Sequence, residues 1–117
     1  MRDFRNLNIW KLGIDLVKQI YNVTRSFPNS ELYGLTNQMR RASVSLPSNI
    51  AEGASRKSNT DFARFLEIAL GSAFELETQL ILSKELEYLS QEDFEKITDN
   101  LHAFQKQLNA LLTKVRS

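Results

Sequence analysis

From Phe94 to Val115 the apolar residues advance by three and four in turn: Phe94, Ile97, Leu101, Phe104, Leu108, Leu111 and Val115. That rhythm lays one apolar stripe along a helix. Phe62, Leu66, Ala69, Ala73, Leu76 and Leu80 repeat it over residues of about 59–86, and Ile9, Leu12, Leu16, Ile20 and Val23 mark a first helix that ends before Phe27-Pro28. With only four glycines and two prolines in 117 residues, the chain lacks the turn residues of an all-β domain.

The boundaries are legible as well. Ser58 with Asp61 and Ser90 with Asp93 have capping-box spacing, aspartate standing in for the usual glutamate. The serine oxygen takes an amide proton left over at the helix start, and the acid favours the positive end of the dipole. Pro28 and Gly34 bracket the first connection, residues 53–59 form the second, and the third is very short, around Glu87–Ser90. Four helices near 8–26, 35–55, 59–87 and 91–115 follow. Short links between helices of similar length predict antiparallel neighbours. We expect an all-α protein, one domain over residues 1–117, built as an antiparallel up-and-down four-helix bundle with crossing angles of roughly 20°.

The first helix carries a second apolar row, Trp10, Ile14, Val17 and Tyr21. One small bundle offers a helix only one set of neighbours, so this flank is expected to meet another subunit. The segment "NQMRRASVSLPSNIAEG", residues 37–53, is less ordinary. On a helix, Asn37, Arg41, Ser45, Ser48 and Glu52 share one face, and Met39, Ala42, Leu46 and Ile50 share another. Pro47 breaks the hydrogen-bond ladder and frees a carbonyl near Ser43. We read a kinked helix whose small residues allow close approach of a facing helix. Pairing it antiparallel with the third helix sets Arg41 opposite Glu75 and Glu52 opposite Arg64, two expected ion pairs.

Several chemistries are weakly supported. Without cysteine, disulfides and thiolate metal sites are excluded, which agrees with a cytoplasmic location. No stretch resembles a signal peptide, and no apolar run is long enough to span a bilayer, so no membrane association is expected. The lone histidine, His102, has no second histidine or cysteine with which to share a metal. Glu-x-x-His spacing and a Gly-Lys-Ser phosphate loop are both missing. The serines of 43–48 with Glu52 lack a neighbouring base in sequence. We therefore expect no enzymatic activity, no catalytic residues and no cofactor or metal.

Charge is the remaining functional signal. Residues 1–58 carry nine Lys/Arg against four Asp/Glu, a sum of +5; residues 59–117 carry six against ten, a sum of −4; together they return the net +1. Either the halves attract each other, or a partner reads the basic one. Lys11, Lys18 and Arg25 form a row seven residues apart, and Arg40, Arg41, Arg56 and Lys57 lie on the second helix and its end. Such cations neutralise phosphates without reading bases. Nucleic-acid association is the first reading. The second is an adaptor that recruits a polypeptide through its apolar flank and Glu-rich half.

Three stretches carry a family resemblance: "FRNLNIWKLGIDLV", "FPNSELYGLTNQMRRASVSLPSNIAEG" and "FARFLEIALGSAFELETQLILS". From about Phe4 to Leu112 the chain resembles the four-helix bundle proteins encoded in 23S rRNA intervening sequences, a family related to the accessory variability determinant proteins of diversity-generating retroelements. The resemblance implies a homopentamer, an association with RNA or retroelement machinery, and no catalytic role. It singles out Arg40, Arg41, Ser48, Asn49, Glu52 and Gly53 as motif positions. Ser45, Pro47, Arg64 and Glu75 join them in our structural reading of the helix 2–helix 3 contact.

Overall fold

The computed structural model describes residues 2–117, arranged as four helices: α1 (Asn8–Thr24), α2 (Asn37–Ala54), α3 (Asn59–Glu85) and α4 (Gln91–Arg116). Each packs against its neighbours in sequence, and α1 also packs against α4, which closes the ring. Contacts that run in opposite senses fix the direction of each pair. Gly13 and Thr24 of α1 meet Pro47 and Arg40 of α2, and Glu67 and Glu77 of α3 meet Arg116 and His102 of α4. The result is an antiparallel up-and-down four-helix bundle. Its long dimension of 43 Å is set by α3, whose 27 residues at a rise of about 1.5 Å span about 40 Å.

The apolar stripes meet in one core. Leu16 and Ile20, Leu46 and Ile50, Leu66, Leu76 and Leu80, and Leu101, Phe104 and Leu108 are sealed from solvent. Ser58 Oγ accepts from the Asp61 amide, and Ser90 Oγ from the Asp93 amide, both at 3.1 Å. At the far end of α3, Tyr88 N–H donates to Ser83 O at 2.9 Å and Glu87 N–H to Lys84 O at 3.0 Å. This is a Schellman ending, with Glu87 at φ 64° where glycine is usual.

The chain enters α2 through Leu32–Thr36, where Gly34 leaves helical geometry (φ −109°, ψ −114°) and the Leu35 amide is capped by Glu31 Oε1 at 3.1 Å. One local expectation needs correction. The pairs Arg41–Glu75 and Glu52–Arg64 do not form among the described residues. Glu52 instead holds Arg56 at 3.1 Å, and Arg64 holds Asp61 at 3.8 Å, each within one helical turn. A turn of the same helix already sets such groups close together, so no second helix has to be positioned. The second apolar row of α1 is only partly covered by the chain itself. Trp10 packs edge-on against Phe4 at 5.3 Å, and Ile14 and Val17 are half-buried. Tyr21 of that row is 38% exposed, and on the outer side of α3 Ile68, Phe74, Ile81 and Leu82 are 43–53% exposed.

Candidate nucleic-acid interface

The serine-and-proline segment is engaged in helix packing. Pro47 is buried within α2, and a Cβ at Gly13 would lie 3.2–3.3 Å from its ring and nitrogen, so α1 crosses there at close range. On the α3 side, the Ser45 and Ser72 hydroxyls hydrogen-bond at 2.8 Å, and the Asn49 amide donates to Ser45 O at 2.8 Å. Gly53 leaves room for Phe62 and Phe65. Ser43 is buried and donates to Arg40 O at 2.8 Å. Ser48 and Glu75 are exposed.

Among the described residues, neither Ser43 nor Ser45 bonds to a histidine or a carboxylate. His102 lies on α4, where its Nε2 meets Glu77 Oε2 at 3.0 Å. Gln105 donates to the other oxygen of Glu77 at 2.9 Å. These hydrogen bonds, that from His102 foremost, hold the Glu77 carboxyl below its usual range. Among the described residues, no group of three or more His, Asp or Glu is placed to hold a metal ion.

The basic residues divide by how they are engaged. Lys11, Lys18 and Arg25 are exposed along α1, and Arg41 and Lys57 are exposed on α2 and its end. None of these five meets a carboxylate among the described residues. Arg56 is held internally: it pairs with Glu52, lies 4.8 Å over the Phe65 ring and has its Nε sealed from solvent. Arg40 is braced, its Nε donating to Thr24 Oγ1 at 2.9 Å and its guanidinium 4.6 Å above the Tyr21 ring. Tyr21 and Asn37 join Arg40 and Arg41 along the α1–α2 groove, a role that sequence reasoning missed. Tyr21 reads there only as one more apolar step on α1.

All six ion pairs among the described residues join groups of the same half of the chain. Among the described residues no ion pair links the basic α1–α2 half to the acidic α3–α4 half. The class defined by this geometry is a small antiparallel helical bundle with a basic face and an acidic face.

Comparison with known proteins narrows that class. Residues 5–110 match the family described as 23S rRNA-intervening sequence protein, and the chain belongs to that family. Among solved structures it resembles a protein of unknown function from the S23 ribosomal protein family of Bacteroides thetaiotaomicron. That likeness has a TM-score of 0.83 at 27% identity, covering 89% of this chain and 97% of the other. No curated protein matches. No described helix is long and apolar enough to cross a membrane.

Proposed function

We propose that this protein is a non-enzymatic, oligomeric, cytoplasmic bundle that associates with nucleic acid, largely through the phosphate backbone. The observation that carries this reading is the set of five exposed cations on the α1–α2 side that meet no carboxylate, namely Lys11, Lys18, Arg25, Arg41 and Lys57. Cations that meet no carboxylate are available to phosphates, and binding them releases counterions. The family description favours RNA as the partner. The RNA or RNA/DNA of a retroelement is the further candidate that the resemblance to accessory variability determinant proteins implies. A gel shift with structured RNA across a salt series tests this. Affinity should fall steeply as salt rises and should drop further in Arg41→Glu/Lys57→Glu. Binding indifferent to both would contradict it.

Self-association is the second part of the proposal, and the exposed apolar face of α3 supports it. Isolated exposed apolar residues are ordinary, but Ile68, Phe74, Ile81 and Leu82 are four on the outer side of one helix, which suits an interface. The resemblance implies five copies. Several copies would also multiply the weak positive field of one chain. The same face equally suits the alternative of an adaptor that docks another polypeptide and has no nucleic-acid role. Light scattering on eluted protein separates the two: self-association gives a multiple of the chain mass, whereas an adaptor without its partner elutes as a monomer.

A further inference from the structure

The seam between α1 and α2 holds one hollow, and the connection between the two helices forms a second that adjoins it. The larger, of about 550 Å3, is bordered by Tyr21, Asn37, Arg40, Arg41, Ser45 and Ser48, with Val44. The smaller, of about 240 Å3, is bordered by Arg25, Phe27, Asn29, Leu32 and Arg40 among others. Arg40 stands on the rim of both, and no carboxylate lines either one. The larger hollow falls within the roughly 300–1,000 Å3 of small-ligand sites. Each hollow thus combines arginine, an aromatic ring and neutral hydrogen-bonding side chains.

Arg40 is set in place before any ligand arrives. Its Nε is bonded to Thr24 Oγ1, which itself donates to Ile20 O at 2.7 Å, and the guanidinium lies over Tyr21. Only one nitrogen of the fork is used in this bracing, which leaves the terminal N–H groups for an oxyanion. A braced arginine loses little freedom on binding, which favours affinity. Tyr21 remains 38% exposed beside it. Bases stack on aromatic rings and on guanidinium planes, but only when they are not held inside a duplex.

We infer that this seam is the track for an unpaired stretch of the nucleic acid, an inference that rests on the function proposed above. One phosphate sits between Arg40 and Arg41, its base lies against the Tyr21–Arg40 pair, and the next nucleotide enters the smaller hollow beside Arg25 and Phe27. Two hollows meeting at one arginine suit a chain of repeating phosphates better than a single small anion. The shared chemistry is that of a phosphodiester strand with accessible bases, whether RNA or DNA.

Fluorescence anisotropy with the full chain tests the track, using labelled single strands of RNA and of DNA and the matching blunt duplex. Single strands should bind more tightly than the duplex. Tyr21→Ala should weaken single-strand binding roughly tenfold and leave duplex binding unchanged, and Tyr21→Phe should bind like the parent. Arg41→Gln should weaken both. Circular dichroism establishes that each variant is folded. Comparing RNA with DNA identifies which strand is preferred, and either preference supports the track. If Tyr21→Ala binds like the parent while Lys11→Glu/Lys18→Glu still weakens binding, the track is rejected and the basic face stands. Displacement of the strand by polyglutamate as readily as by unlabelled strand also rejects it, because the seam would then hold any polyanion. If the parent binds no strand at all, the proposed function fails along with the track.

Discussion

A Cβ at Gly53 would stand 2.7 Å from the Phe65 Cβ and 3.0 Å from Phe62 Cδ1. The first contact involves an atom fixed to the α3 backbone, so α2 and α3 must separate to admit a methyl. Gly53→Ala should therefore lose about 1–2 kcal/mol in urea denaturation, despite the better helix propensity of alanine. Gly71 on α3 is the counterpart, with nothing within 4 Å of its would-be Cβ. Gly71→Ala should gain up to about 1 kcal/mol in the same measurement. Glu77 adds a pH dependence. Its folded carboxyl is held below the ordinary range by His102 and Gln105, so its stabilisation is complete above the unfolded carboxylate range. It is lost as pH falls through the lowered folded value. Melting temperature should accordingly fall more between neutral and acidic pH in the parent than in Glu77→Gln. Equal falls would show that the pair contributes nothing. Single residues were also where the sequence misled most. Glu52 and Arg64 were legible as charges facing the α2–α3 contact, but a one-dimensional register does not rank a partner across helices above one a turn away.

At the scale of the element, the stripes and the serine caps were legible because periodicity and capping are local rules. The end of α3 shows their reach. Glu87 takes a left-handed conformation that glycine adopts without strain, so Glu87→Gly should stabilise the fold by about 1 kcal/mol in denaturant melts. No change would mean that the Schellman ending carries no strain there. The outer face of α3 was not legible. Its core row, Leu66, Ala69, Ala73, Leu76 and Leu80, is regular, but a stripe on one side of a helix does not tell whether Ile68, Phe74, Ile81 and Leu82, off that stripe, are covered. Only with α2 and α4 in place does it emerge that about half of each of these side chains stays open to solvent. Substituting Phe74→Glu together with Leu82→Glu should leave the helical circular dichroism intact and reduce the mass seen by light scattering to one chain. An unchanged mass would place self-association on another surface.

For the whole molecule, the charge split along the sequence becomes a split between faces, because an up-and-down bundle keeps α1 beside α2 and α3 beside α4. That much follows from connectivity. Whether the halves neutralise each other does not, since it depends on side chains that reach across the seams. The ion pairs among the described residues all stay within a half. The α1–α2 groove was equally hidden, because Tyr21, Asn37 and Arg40 are brought together only by the antiparallel packing of two helices.

The most direct measurement compares charge reversals on the two faces. RNA affinity is followed against salt for the parent, for Lys11→Glu/Lys18→Glu on α1, and for Lys106→Glu/Lys114→Glu on α4. If the α1–α2 face holds phosphates, the first variant flattens the logarithmic salt slope by roughly one for each phosphate that is no longer neutralised, and the second leaves the slope unchanged. Equal flattening by the two variants, or a parent slope near zero, would contradict a basic face that grips the backbone.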